Sequence, residues 1–186
     1  KAARYHQPVS YLVERLTGEA VIDHAQASTS MLYGLASQAY DSALLAAFGV
    51  TADELPAIAR ADDIAGGLTS KGSALTGLPP GIAVAVGTGD DFSAALGAGI
   101  IETGQVSVAV GTGEVVGALF ADPMIDPERL VETHAYPAGG YFVENPGWLS
   151  GGTVAWLKDI LRLPDFTAFD REAAKAPSGS DDLLFL

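Results

Sequence analysis

Apolar and polar positions follow a helical spacing in the first half of this chain, and short apolar runs replace that spacing in the second. Residues 8–16 carry Tyr11, Leu12, Arg15 and Leu16 at helical intervals. Pro8 stands where a first turn tolerates a missing N–H, and Gly18 where a helix can end. A helix is expected there. Residues 23–30 are small and polar and read as a loop or a helix start. Residues 31–40 are weakly patterned, with helix as their expected state. Asp41 can cap the apolar run 43–48, which Gly49 can stop. Thr51 and Glu54 have the spacing of a capping box, with Pro56 keeping that helix short. Residues 59–80 are rich in turn formers and are expected to wrap the surface.

From residue 82 the pattern changes. Residues 82–86 are apolar and β-branched and read as a buried strand. A glycine-rich turn at 87–91 and a small-residue helix at 92–99 follow. Residues 106–110 and 115–120 read as strands joined by a turn at 111–113, a β-hairpin. Residues 141–143 read as a further strand. Residues 151–161 read as a helix with Val154, Leu157 and Leu161 on one face. No repeat at solenoid spacing is present. The change from helical to strand-rich character near residues 102–104 sets an expected domain boundary between 103 and 104.

Composition adds limits. The 186 residues are 48% hydrophobic and 18% charged, which is enough apolar material for a packed core rather than a disordered chain. A net charge of −13 opposes binding to nucleic acid or to an anionic membrane. It also opposes a free nucleotide, so a nucleotide enzyme of this charge would need Mg2+ and a local phosphate cradle. Most of the acidic residues are accounted for as a solvated surface. The absence of cysteine removes disulfides, thiolate catalysis and zinc–thiolate sites, and fits a reducing cytoplasm. No apolar run is long enough for a membrane span, and the first residues do not read as a basic-then-apolar signal peptide. Both ends read as cuts in a longer chain.

Three glycine-rich segments could carry chemistry. In Gly87-Thr88-Gly89-Asp90-Asp91 two carboxylates follow the end of an expected strand, the edge at which α/β sheets bind ligands. A carboxylate there could take a proton from a hydroxyl or hold sugar hydroxyls. It could equally cap the helix that follows, or the pair could ligate magnesium. Gly111-Thr112-Gly113 could present amides and a hydroxyl to an anion, or be an ordinary hairpin turn with Glu114 adding unhelpful charge. Ser150-Gly151-Gly152 could be a helix N-terminus facing phosphate, or a plain Ser150 cap. His6, His24 and His134 lie far apart and read as structural or surface residues. The Walker lysine motif and the Gly-x-Ser-x-Gly elbow are both absent.

The order of these segments resembles one family. Arg15-Leu16-Thr17-Gly18-Glu19 closes the first helix, and Asp23 and Ala27-Ser28-Thr29 follow. Then come Leu55-Pro56, Gly67-Leu68-Thr69 and Thr76-Gly77-Leu78-Pro79-Pro80-Gly81, then Gly87-Thr88-Gly89-Asp90, Leu96-Gly97-Ala98-Gly99, Gly111-Thr112-Gly113 and Gly151-Gly152 with Trp156-Leu157-Lys158-Asp159. In this order, over nearly the whole chain, they resemble the FGGY carbohydrate kinases, xylulokinase-like members in particular. The resemblance implies an α/β fold of the actin-like, ribonuclease-H-like type. Residues 1–103 would end the sugar-binding domain and residues 104–186 begin the nucleotide-binding domain. It implies transfer of the ATP γ-phosphoryl group, with Mg2+, to a sugar hydroxyl, a ketopentose such as xylulose first, with glycerol, another polyol or a sugar acid behind it. Asp90 would be the base and Asp91 a second sugar ligand, while Gly111, Thr112 and Gly113 would meet nucleotide phosphates and Gly151 lie near the nucleotide. A homodimer is compatible with the resemblance, since family members are often dimers.

The chain departs from that pattern in three ways, one of them Glu114 directly after the phosphate turn. Asp91 stands where many ketopentose kinases have asparagine and glycerol kinases glutamine. The family's N-terminal Asp-x-Gly-Thr loop and adenine pocket are missing, so this chain by itself is expected to be inactive. A non-catalytic sugar- or nucleotide-binding domain of the same fold is the alternative from another class. A structural module in which Asp90 is only a cap is a third.

Overall fold

The computed structural model describes residues 3–147 and 149–183. Helix α1, Pro8–Thr17, starts on Pro8 and ends where Gly18 takes a left-handed φ of 86°, as its sequence predicts. Strand β1, Val21–Asp23, runs into α2, His24–Thr29, with Asp23 as the cap. Residues 31–40, expected to be helical, instead form a two-stranded antiparallel ribbon of β2, Tyr33–Gly34, and β3, Ala39–Tyr40. The left-handed backbone of Met31 and Gln38 breaks any helix there. The ribbon buries Tyr33, whose hydroxyl meets His24 Nδ1 at 2.8 Å.

Helix α3, Ser42–Phe48, has the expected Asp41 cap and Gly49 stop. A single 3-10 turn, Ala52–Glu54, carries the capping box of Thr51 and Glu54. Strand β4, Ala57–Ala59, pairs in parallel with β1. The segment read as surface turns contains β5, Ile64–Gly67, and α4, Ser70–Thr76, capped by Thr69. Its glycines and serines hid both. Gly72 is what lets α4 approach α1, since a Cβ there would lie 2.6 Å from the Leu16 carbonyl oxygen.

Among the described residues strand β6, Ala83–Ala85, pairs antiparallel with β5 alone. It was expected to be buried, but with a single partner strand Ala83 and Ala85 stay exposed, and of residues 82–86 only Val86 is buried. Helix α5 spans Asp90–Gly97. Strands β7, Val106–Val110, β8, Glu114–Phe120, β9, Glu132–Ala135, and β10, Tyr141–Pro146, form a sheet in the order β7-β8-β10-β9. Strand β9 was not legible in the sequence. Helices α6, Gly151–Ile160, and α7, Phe166–Ala173, follow, the second capped by Asp165, and then a 3-10 turn, Ser180–Asp182.

Packing divides the chain into two compact units, Lys1–Val108 with Val116–Pro146, and Ala109–Val115 with Gly147–Leu186. The main core lies in the first. There Phe92 and Ala95 of α5 pack with Ala25, Ile100, Leu119, Tyr136 and Phe142. Phe142 stacks on Tyr136 at 5.3 Å between ring centroids and meets the edge of Phe92 at 6.5 Å. Gly117 makes room for it, since a Cβ there would lie 2.2 Å from the Phe142 ring. A second cluster of Ile22, Ala27, Tyr33 and Ala135 lies in the same unit. No helix among the described residues is long and apolar enough to cross a membrane.

Candidate functional site

Two sites can be built from the chain, one in each unit. The first is the turn between β6 and α5. Gly87 has a φ of +73°, which swings the chain out of the strand at a position side chains rarely occupy. Gly89, not Asp90, is the N-cap of α5, and the helix begins at Asp90. This corrects the reading of Asp90 as a cap, because its carboxylate makes no capping hydrogen bond. Asp90 and Asp91 are exposed in the first turn of the helix, while the next residue, Phe92, is buried and fixes it to the core. The positive end of the helix favours both carboxylates.

Asp90 and Asp91 line a hollow of about 170 Å3 with Gln7, Gln26 and Thr29. Gln7 Nε2 donates to the Gln26 carbonyl at 2.8 Å and to Thr29 Oγ1 at 2.9 Å, closing one side of it. Exposed carboxylates beside fixed amides suit hydroxyl groups, which both accept and donate. Gln7 and Gln26 are polar residues within or beside helical patterns, and nothing in the sequence marks them.

Behind Asp91 lies a charged layer that the sequence reading also missed. Glu132 and Glu144 face each other across β9 and β10. Nε2 of buried His134 sits 3.3 Å from Glu132 and 3.3 Å from Glu144. Burial, with Asp91 and Glu132 adding to it, pushes the Glu144 carboxyl up to about 7. Burial lowers the His134 imidazole, against the pull of Glu132 and Asp91. His134 is buried, and its carboxylate partners come from strand register rather than from local sequence.

The second site is the turn Gly111–Gly113. The Gly111 N–H donates to the Gly113 carbonyl at 2.7 Å, which makes the turn tight. Helix α6 abuts it. The Gly151 amide donates to the Gly111 carbonyl at 2.9 Å, and the Ser150 and Gly152 amides both donate to the Thr112 carbonyl at 3.0 Å. The glycines are required for that approach, since a Cβ on Gly151 would lie 2.5 Å from the Gly111 oxygen. Ser150 makes no side-chain cap. The first amides of α6 are thus engaged by the turn, so Gly151 bears on an anion through the loop it holds. The Thr112 and Gly113 amides donate to no described residue outside the sheet, and Thr112 is exposed.

The FGGY carbohydrate kinase N-terminal domain model matches residues 1–97. The chain belongs to the FGGY family of carbohydrate kinases. A glycerol kinase of Thermococcus onnurineus is 29% identical over 180 residues, covering 95% of this chain and 36% of that protein. The solved gluconate kinase of Lactobacillus acidophilus superposes with a TM-score of 0.88 at 25% identity, covering 100% of this chain and 38% of that one. The xylulose kinase of Rhodospirillum rubrum gives 0.84 at 27% identity, covering 95% and 37%. The chain thus spans little more than a third of these relatives, and it has the mixed α/β, actin-like fold of FGGY sugar kinases.

The tight turn at 111–113, with exposed Thr112, suits a phosphate. Among the described residues no group of three or more histidine and carboxylate side chains is arranged to hold a metal ion. Asp90 and Asp91 alone fit Mg2+ only as it commonly binds, through one or two carboxylates with phosphates completing the shell.

Proposed function

We propose that this chain is an internal segment of a kinase that transfers the γ-phosphoryl group of ATP to a hydroxyl of a sugar, a ketopentose such as xylulose being the first choice. The observation that carries the reading is Asp90, an exposed carboxylate at the N-terminus of a helix whose next turn is locked in the core, free of any capping role. Asp90 accepts the proton of the attacking hydroxyl. The sugar oxygen then forms a bond to the γ-phosphorus as the bond to the ADP oxygen breaks. Asp91 holds a second hydroxyl, assisted by Gln7 and Gln26. Gly111, Thr112 and Gly113 receive nucleotide phosphates, with Gly151 bracing the loop. Asp90 and Asp91 are the carboxylates that would hold Mg2+ together with the nucleotide phosphates, and the ion would supply neutralisation of a nucleotide charge that a chain of net charge −13 otherwise repels.

Residues 1–103 would end the sugar-binding domain and 104–186 begin the nucleotide-binding one, in a cytoplasmic enzyme. Xylulose, glycerol and gluconate kinases all stand among the similar proteins, so the sugar is to be read from turnover.

The test is ADP release by the full-length kinase against ketopentoses, polyols and sugar acids, with Asp90→Asn as control. One substrate should turn over, and the variant should lose about 10²–10⁴-fold in kcat, the span of a general base, with little change in stability. Folded protein that binds a sugar and releases no ADP with any substrate would sink the kinase reading and favour a non-catalytic binding domain.

A further inference from the structure

The turn that presents Asp90 is flanked by glycines, Gly87 and Gly89, and has a single side chain able to fix it, that of Thr88. The Thr88 hydroxyl donates to Asp23 Oδ2 at 2.8 Å, from 65 residues away in the sequence. We propose that Asp23 and Thr88 are positioning residues for Asp90, a buried brace that sets where the catalytic carboxylate stands. The inference rests on the reading of Asp90 as the base.

Capping alone does not account for Asp23. Asp41 caps α3 from a half-buried position by accepting the Ala43 and Leu44 amides at 2.8 and 3.0 Å. Asp23 is only 1% exposed. Its Oδ1 accepts the Gln26 amide at 3.2 Å and Gln26 Nε2 at 3.0 Å, and its Oδ2 accepts the Ala25 amide at 3.3 Å as well as Thr88. A carboxylate that is buried and accepts four hydrogen bonds has little freedom to move. Through it the β1–α2 junction is tied to the turn before α5.

The carboxylate reaches the turn at two points. One is the Thr88 hydroxyl. The other is Gln26, whose side-chain amide is pinned by Oδ1 and whose Cγ lies 3.6 Å from where a Cβ of Gly89, the residue before Asp90, would be. Glycines supply no side-chain contacts to hold such a turn, whose backbone is tied at the Gly87 amide, donating to the Ala61 carbonyl at 2.9 Å. Reaction geometry is steep, with a displacement of about 1 Å costing on the order of 10²-fold in rate. Loosening this brace should lower kcat while the remaining sugar contacts keep KM nearly unchanged.

The experiment compares Thr88→Val, which keeps the shape and removes the hydroxyl, with Thr88→Ser, which keeps the hydroxyl. Both are read in the full-length kinase beside Asp90→Asn, below the unfolding temperature of every variant. Expected are a fall of about 10–100-fold in kcat for Thr88→Val with sugar KM within about threefold of wild type, and recovery of most of it in Thr88→Ser. Should Thr88→Val not fold, Asp23→Asn, nearly isosteric and with one carboxylate oxygen replaced by an amide, is read for the same split. Wild-type kcat in the folded brace variants, with Asp90→Asn inactive, would overturn the brace and leave the base in place. Full activity in Asp90→Asn would overturn the base, and the brace with it.

Discussion

Two glycine-rich segments look alike as letters and act differently as residues. Gly87 is needed for its backbone angle, φ +73°. Gly151 has an ordinary helical backbone and is needed for its missing side chain, because the Gly111 carbonyl would stand 2.5 Å from its Cβ. Gly151→Ala should therefore push α6 off the loop and break the bond to Gly111. The expected effect is a loss of about 1–3 kcal/mol, the usual cost of overpacking. In the full-length kinase KM for ATP should rise severalfold while KM for the sugar stays put. Urea unfolding and steady-state kinetics check the two halves. A rise in both KM values would instead place Gly151 in the fold at large. The sequence displayed these glycines without distinguishing the two reasons. Spacing likewise left a capping role for Asp90 open, because a shift of one residue, Gly89 against Asp90 as the cap, decides that role.

Elements were legible where caps and stops are local. Pro8 and Gly18 bound α1, and Asp41 and Gly49 bound α3, because each terminus is fixed by a residue within a turn of it. They were not legible where a partner strand decides. Residues 31–40 have no periodicity of their own and become a ribbon by burying Tyr33, and β9 exists through its pairing with β10. Helix α5 shows both cases. Its small residues predicted a helix, but its fixed position comes from Phe92, 3% exposed, against His134 at 5.8 Å and Phe142. Phe92→Ala should cost about 3–5 kcal/mol by leaving a cavity under the helix, measured by urea unfolding. A loss under about 1 kcal/mol would mean that α5 is held from elsewhere, since collapse rarely recovers so much.

At the scale of the whole molecule, pH acts on stability through groups that no local pattern marks as partners. Glu132, His134 and Glu144 meet only because β9 and β10 align them, and Asp91 faces them from α5. The Glu144 carboxyl rises from its ordinary 4.5 to about 7 in the folded chain, chiefly by burial. The folded state therefore binds this proton more tightly than the unfolded state does. Its contribution to stability is complete below about 4.5 and is lost as pH rises through about 7. The lowered His134 acts with the opposite sign, because below its ordinary 6.5 the unfolded chain takes up the proton more readily. The two oppose each other in one window, so the wild-type curve alone does not separate them. Glu144→Gln removes the first and keeps the second. A fixed cost of burying the amide would offset the variant's stability equally at every pH. The diagnostic is thus the difference between variant and wild type, which should move in the variant's favour as pH rises from about 4.5 to about 7. Urea unfolding at half-unit pH steps measures it. A difference that stays flat across the window would show that Glu144 is already ionised in the folded chain, and that its charge adds to that of Glu132 around Asp91.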